Sequence, residues 1–296
     1  MQPERVHLQV KRITGQDGEF ILSLDREDYS ALYPGMLRYT VGVSAGGEEW
    51  ALFRTNTYEY APRVPLKAEA IAYERFAAWE RELTESSAGF FLTHEKPPAR
   101  HLPTSGADLI VIAGSPRADG NCGILTEWTV DAARHAGRTA AVIYPHDLDI
   151  HPCIGCYQCY NTGTCTFDDD MTGIIDAIRT CRVLVITSPV YTNTVPGTLK
   201  VLIDRCQAYH AERTLFGGPL HQQGILGAVA GRRGRTHFTC VEHVVHAFMR
   251  NLGILPAGDL LIDGTDEYRD IRTVKGLRER VQDTVRAALA GKNAQT

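Results

Sequence analysis

The sequence predicts an α/β protein in which a doubly wound, five-stranded parallel sheet is preceded by a small α+β unit. Three observations predict it. Five short, uniformly apolar runs follow residue 106, each separated from the next by a stretch of helical periodicity. Strands buried on both faces read this way, and strict strand-helix alternation implies right-handed crossovers and parallel pairing. Before residue 100 the runs instead alternate partially with period two and are separated by the turn signals GQDG and AGG, the pattern of antiparallel strands. Between the two regions lies HEKPPARHLPTSG, whose proline and polar content reads as a linker.

The amino-terminal unit spans 1–100. Its segments RVHLQVKRI, EFILSLD, MLRYTVGVS and EEWALFRTNTYEY are rich in residues that suit a pleated, half-buried surface. A helix follows in AEAIAYERFAAWERELTESS, where Ile71, Phe76, Trp79 and Leu83 recur at helical spacing. The second domain, 106–292, carries the strands DLIVIAG, TAAVIYP, RVLVITSPV, GILGAVAG and ILPAGDLLI. Helices are predicted over TEWTVDAARHAG, DDMTGIIDAIRTC, GTLKVLIDRCQAYH and TCVEHVVHAFMRNLG. TVKGLRERVQDTVRAALAG closes the domain ahead of a frayed tail, KNAQT.

Composition narrows the function. With 44% apolar and 22% charged residues in 296, the chain reads as globular, long enough for one large or two modest domains. Its 31 Lys+Arg against 35 Asp+Glu leave no bulk positive field to hold nucleic acid or an anionic membrane. No long apolar run and no signal-peptide h-region appear, so a cytoplasmic protein is expected. Of eight cysteines, four fall between 153 and 165, and in a reducing compartment they are read as thiols rather than disulfides.

In an open parallel sheet ligands bind beyond the carboxyl ends of the strands, so the loops there are the candidate sites. GSPRADGNCG (114–123) leaves the first strand and enters a helix. Ser115, Arg117, Asn121 and the approachable backbone N–H groups of a helix start suit a phosphate monoester, while neither GxGxxG nor GK[ST] is present. In HPCIGCYQCYNTGTCTFDDDM, Cys153, Cys156, Cys159 and Cys165 follow C-x2-C-x2-C-x5-C, a spacing that suits the corners of an iron-sulfur cluster. A metal-free thiol loop and a zinc site are the alternatives. SPVYTNTVPGTLK (188–200) offers an apolar edge in Pro189 and Val190, a ring in Tyr191 and polar groups in Thr192 and Asn193 for a planar heterocycle, or simply a proline-bounded turn. AGRRGRTHFT (230–239) is either a solvated basic turn or a contact for a flavin or a nicotinamide dinucleotide phosphate.

Taken together, GSPRxxGN, CIGCxxCxxxGxCxxxDDM and SPVYxxxxPGxLKxxIDR resemble the iron-sulfur flavoprotein and NADPH-dependent FMN reductase group of the flavodoxin-like superfamily, over roughly residues 108–258. The resemblance implies FMN, a sheet of order 2-1-3-4-5 and a homodimer or homotetramer. It implies that Ser115, Arg117 and Asn121 hold the FMN phosphate, that Pro189, Val190, Tyr191, Thr192 and Asn193 border the isoalloxazine ring, and that Gly231 lies on its other side. The four cysteines from 153 to 165 are the implied ligands of a [4Fe-4S] cluster. Cys122 stands in the phosphate loop where relatives usually carry Thr or Ser, and a thiol donates a weaker hydrogen bond than a hydroxyl, leaving backbone donors to hold the anion.

The function so implied is an FMN-dependent oxidoreductase that passes electrons between a reduced donor, NAD(P)H or a ferredoxin-like protein, and a small-molecule or protein acceptor through FMN and the cluster. The rivals are a cluster-free NAD(P)H-dependent reductase of flavins, quinones or nitro compounds, and a non-enzymatic redox carrier or sensor. Other matches fail on context. GVSAG is followed by a strand pattern and is read as a hairpin, not a nucleophile elbow. His237, His243 and His246 lack HExxH and are read as packing or exposed residues, Asp168 to Asp170 as a helix start, and Cys181, Cys206 and Cys240 as core.

Overall fold

The computed structural model describes residues 3–15, 18–60, 67–94, 106–217 and 222–291. Most of the predicted linker (95–105) and the tail (292–296) lie outside them. The chain forms two compact units, Met1–Ala99 with Gly155–Thr164, and Arg100–Ile154 with Cys165–Thr296. No helix among the described residues is long and apolar enough to cross a membrane.

The first unit is an antiparallel meander of β1 (Glu4–Gly15), β2 (Gly18–Asp28), β3 (Leu37–Ala45) and β4 (Glu48–Asn56). Gly46 and Gly47, at φ +61° and +89°, form the two-residue turn between β3 and β4, where both central residues need positive φ. GVSAG is therefore the end of a strand and its hairpin, as its context predicts. Helix α1 (Ala68–Glu85) covers one face with Ala68, Ala72, Phe76, Trp79 and Leu83, packed with Leu22, Leu24, Val41 and Val43. Ile71, expected in that stripe, is only half-buried, because Ala72 holds the inward position. The predicted helix also breaks. The Ser86 hydroxyl accepts the N–H of Gly89 and starts a second helix, α2 (Ser87–Thr93), since serine near a helix end competes as a cap.

On the sheet's other face, register aligns Asp25 with Thr40 and Arg54, and Glu27 with Arg38 and Asn56. Asp25, Glu27, Arg38, Thr40 and Asn56 are nonetheless buried. The stretch Gly155–Thr164, with its single-turn helix α4 (Cys159–Thr162), folds with this unit although its sequence neighbours do not.

The second unit is a wholly parallel sheet of β5 (Leu109–Ala113), β6 (Ala140–Ile143), β7 (Val183–Pro189), β8 (Gln222–Val229) and β9 (Ile254–Ile262). Its order β6-β5-β7-β8-β9 is the flavodoxin-like 2-1-3-4-5. Leu109, Val111, Val183 and Val185 pack with α3 (Asn121–His135) and α10 (Leu277–Leu289) on one face. Ile110, Ile112, Leu184 and Ile186 alternate with them and are fully buried on the other. There α6 (Gly197–Arg205) sets Leu199 against Gly114, and α8 (Thr239–Asn251) sets Met249 against Gly224.

One helical prediction in this unit needs amending. GTLKVLIDRCQAYH forms α6 and a separate α7 (Gln207–Phe216), broken at Cys206. Each half is helical by periodicity and no Gly or Pro marks the break, so the pattern runs through it. The acidic run does sit at a helix start: Asp170 is the N-cap position of α5 (Met171–Thr180), and Asp169 accepts the N–H of Met171.

Candidate functional site

Strands β5, β7 and β8 all end at one edge of the parallel sheet, and backbone hydrogen bonds tie their loops together. Gly114 donates to Thr187 O at 2.7 Å, Val190 to Val229 O at 2.8 Å and Ala230 to Ile262 O at 2.8 Å. A β-carbon on Gly114 would come within 2.7 Å of Leu199 Cδ2 and 3.1 Å of Thr187 O, so the first loop leaves the sheet through a tightly packed passage. Between the loops lies a cleft of about 470 Å³, within the range of small-molecule sites.

The first wall is the turn into α3. Ser115 is buried and its Oγ accepts the Arg117 N–H at 3.2 Å, closing the turn. Residues 118–120 fold back over the helix start, and a β-carbon on Gly123 would lie 1.7 Å from Ala118 O. The first N–H groups of a helix have no partner within it, so this turn presents donors and the positive end of the helix dipole to the cleft. Arg117 adds an exposed cation to the same wall. Asn121 lines the cleft, but its side chain serves the carboxy-terminal loop: Nδ2 donates to Arg269 O at 3.0 Å and Oδ1 accepts the Ile271 N–H at 3.1 Å. Its backbone N–H and the second N–H of its amide remain for a ligand. Cys122 is buried, and burial pushes its thiol up to about 12, so it stays a neutral, weak donor.

The second wall is the loop after β7. Pro189 is buried and Val190 half-buried. Tyr191 and Thr194 exchange backbone hydrogen bonds across a tight turn whose central residues, Thr192 and Asn193, have φ of 48° and 61°. Asparagine tolerates this region, whereas a β-branched residue is strained there. The turn leaves the Tyr191 ring 41% exposed on the cleft.

The third wall joins the backbone at Gly231 to side chains from the loops after β8 and β9. Gly231 is so close to Asp266 that a β-carbon would sit 2.5 Å from both carboxylate oxygens, and Asp266 N–H donates to Gly231 O at 3.0 Å. All ten residues that the sequence points to as an FMN site line this one cleft. Sequence reasoning missed Thr265, Asp266 and His237, which also line it. Thr265 and Asp266 follow β9 in a four-residue helix, α9 (Thr265–Tyr268), too short to carry a periodic signal. Of the three arginines in the fourth loop, Arg232 faces the cleft, while Arg233 pairs with Glu267 and Arg235 with Glu242.

The cysteine stretch divides between the units. Cys153 and Cys165 belong to the parallel-sheet unit and Cys156 and Cys159 to the amino-terminal one. Among the described residues no three His, Cys, Asp or Glu side chains are gathered as a ready metal site. Cys153 is exposed, and Cys156, Cys159 and Cys165 are half-buried. Within the parallel-sheet unit, the stem of the stretch is fastened by Arg205, which pairs with Asp169 and donates to His151 O. The Asp169 carboxyl is destabilised by burial, but the hydrogen bond from Arg205 outweighs this and holds it below the usual range. Cys181 and Cys206 are core residues as expected, but Cys240 is exposed, because it falls on the outward side of the first turn of α8. His246 bonds Asp259 at 2.9 Å.

The family described as NADPH-dependent FMN reductase matches residues 107–266. An iron-sulfur flavoprotein of Methanocaldococcus jannaschii is 35% identical over 154 residues, covering 51% of this chain and 76% of that protein. An iron-sulfur flavoprotein of Archaeoglobus fulgidus is 25% identical over 203 residues, covering 60% of this chain and 96% of its own. Among solved structures, an NAD(P)H:quinone oxidoreductase of Methanothermobacter marburgensis is similar over 64% of this chain and 96% of its own, with 15% identity and a TM-score of 0.47.

Proposed function

The chain belongs to the iron-sulfur flavoprotein and NADPH-dependent FMN reductase family and is a flavin-dependent oxidoreductase, and on that footing we propose that FMN lies in the cleft between the loops after β5, β7 and β8 and exchanges electrons with a [4Fe-4S] cluster on the four clustered cysteines. The single observation that carries the flavin site is the convergence of a helix start, a serine hydroxyl, a guanidinium and a ring-bearing turn on one cleft. The residues fit the group. A phosphate monoester needs several N–H donors and positive charge, which the start of α3 and Arg117 provide. A planar ring needs a flat apolar edge, which Pro189 and Val190 provide, and a close backbone approach, which Gly231 provides. The cluster reading is supported by the cysteine spacing and by the iron-sulfur names of the relatives.

When bound, FMN supplies both two-electron and one-electron chemistry and the cluster supplies one-electron transfer, so together they connect hydride donors to single-electron partners. The chain's own work is to bind and orient. Backbone N–H groups of residues 121–123 and the Ser115 hydroxyl anchor the phosphate, and Arg117 neutralises it. With FMN bound, the buried Pro189 and half-buried Val190 would keep water from the ring beside them, and the exposed Tyr191 would offer an aromatic face for stacking. NAD(P)H or a ferredoxin-like protein is the proposed donor, with a homodimer or homotetramer as the working assembly.

Protein purified anaerobically should show flavin bands on a broad iron-sulfur absorption, with iron and acid-labile sulfide in near-equal amounts. Cys156→Ala should remove the iron and leave FMN binding intact. A yellow protein without iron or sulfide that still oxidises NAD(P)H with a quinone acceptor would leave the flavin site standing and replace the cluster reading with that of a cluster-free reductase.

A further inference from the structure

The loop after β8 carries Arg232, Arg233 and Arg235, and it treats them differently. Arg233 pairs with Glu267 and Arg235 with Glu242. Arg232 lines the cleft, and its guanidinium makes neither an ion pair nor a hydrogen bond among the described residues. The backbone that carries it is nonetheless fixed. Ala230 O, Gly231 O and Arg232 O accept the N–H groups of Thr265, Asp266 and Gly264 at 3.2, 3.0 and 3.1 Å, and Asp263 accepts the Gly234 N–H at 2.6 Å. The Arg233 side chain lies over Gly264, where a β-carbon would meet its Cγ at 3.0 Å. Buried Phe238 anchors the far end of the loop, and half-buried His237 lines the same cleft with no hydrogen bond to its ring among the described residues.

The carboxylates of this wall are accounted for. Glu267 and Glu242 are taken by arginines that face away from the cleft lining, and Asp263 is taken by a backbone N–H. Asp266 lines the cleft beside Gly231 and forms no ion pair with Arg232. One wall thus presents a cation and an anion held apart. Arg232 is also displaced from the phosphate turn. Strand β7 lies between β5 and β8, and neighbouring strands sit about 4.8 Å apart, so the loops after β5 and β8 leave the sheet about 10 Å apart. The loop after β7 is the nearer neighbour, and its Tyr191 ring is 41% exposed on the cleft.

We infer that Arg232, with the His237 ring from the same loop, forms a second anion subsite, and that the cleft takes an aromatic electron acceptor carrying a carboxylate or sulfonate. The acceptor's ring lies against Tyr191 and its acid group on the guanidinium, whose planar fork matches two oxygens of such a group. This rests on the flavin reading above, which gives Ser115, Arg117 and the start of α3 to the phosphate and leaves Arg232 at the ring end of the cleft. Tyr191 and Arg232 follow adjacent strands, so a ring with its acid group directly attached spans them. The phosphates of a nicotinamide dinucleotide sit many bonds from its redox ring and suit this short span less well. Asp266 gives the subsite a direction, since it repels the same acid group that Arg232 attracts.

The test titrates FMN-loaded, full-length protein calorimetrically with anthraquinone sulfonate and with its neutral hydroxymethyl counterpart, the flavin oxidised and no reductant present, so that binding alone is read. Arg232→Gln should weaken the sulfonate about 5-fold, the upper value for an exposed ion pair, and leave the neutral probe within about 2-fold. Arg232→Lys, which keeps the charge and loses the fork, should fall between wild type and Arg232→Gln. His237→Ala should weaken the sulfonate about 2-fold. Asp266→Asn should strengthen it, the sign a charge effect demands and a loss of packing does not. Absence of sulfonate binding in wild type, or equal effects of Arg232→Gln on the two probes, overturns the inference. A loss of FMN affinity of about 10-fold or more in Arg232→Gln would place this arginine in the flavin site and overturn it as well. So would a fall in NADPH binding relative to NADH with sulfonate binding unchanged, which assigns the cation to the donor. If wild-type protein takes up no FMN, the flavin reading fails by itself; the same titrations on the flavin-free chain then decide the subsite, which stands if Arg232→Gln lowers sulfonate affinity there and falls if it does not.

Discussion

Arg205 donates to both carboxylate oxygens of Asp169, Nη1 to Oδ2 at 2.6 Å and Nη2 to Oδ1 at 2.8 Å, and both side chains are 1% exposed. Nη1 also donates to His151 O at 2.6 Å, so one buried cation ties the chain entering the cysteine stretch to the chain leaving it. The guanidinium also stacks on Phe167 at 5.0 Å, itself parallel to the His151 ring. Removing one partner of a buried pair strands the other without solvent. Asp169→Asn should therefore cost about 3–5 kcal/mol, read as a lower urea midpoint for the parallel-sheet unit. A loss under about 1 kcal/mol, the value of a surface pair, would contradict the burial argument.

Glu27 gives the amino-terminal sheet an acid limit. Burial disfavours its charge, but the hydrogen bond from Arg38 at 2.8 Å and the charges of Arg38 and Arg54 outweigh this and hold the carboxyl below its ordinary value. A folded-state value below the unfolded one stabilises fully above about pH 4.3 and is lost as pH falls through the folded value. Melting temperature measured from about pH 3 to 7 should drop on the acid side in wild type, and Glu27→Gln should flatten that limb. Equal acid slopes in the two proteins would count against the assignment.

Gly123 is the most constrained position of the proposed phosphate turn, since its β-carbon would lie 1.7 Å from a backbone oxygen that no rotamer change can move. Gly123→Ala should push residues 118–120 off the helix start and weaken FMN binding at least about 10-fold, or about 1.4 kcal/mol. Fluorescence titration with FMN measures it, and an unchanged dissociation constant would remove this turn from the site.

Thr192 carries its side chain at φ 48° in the turn beside the cleft. Asparagine is far less penalised in this region, so Thr192→Asn should raise stability by about 1 kcal/mol. The thermal midpoint checks this. No gain would mean that the threonine's contacts offset its backbone strain.

Thiol reactivity should sort the cysteines by environment. Burial pushes Cys122, Cys181 and Cys206 up to about 12, whereas Cys240 is exposed. At pH 8, iodoacetamide followed by mass spectrometry should label Cys240 at least about 100-fold faster than those three. Rapid labelling of Cys122 would show that the phosphate turn opens.

The parallel sheet was legible because each of its strands is a short apolar run with its own helix, and both signals are local. The cleft was legible because such a sheet places its loops at one edge: Ser115, Tyr191 and Gly231 are found there for that reason. Asp266 was not, since its helix spans one turn and its place beside Gly231 depends on the end of β9. The engagement of the Asn121 side chain with Arg269 and Ile271 was equally hidden, because it closes over 148 residues.

By itself the sequence determined the two kinds of sheet, the phosphate-type turn and the clustering of four thiols, all properties carried within a few tens of residues. Only the tertiary structure decided that the polar face of the first sheet takes up the middle of the cysteine stretch, through contacts such as Asn56 with Asn161 at a separation of 105 residues. Periodicity reports how a segment divides between water and protein interior. It carries no record of which distant carbonyl a buried guanidinium or amide will find, because that partner is set by how the whole chain buries its polar groups together.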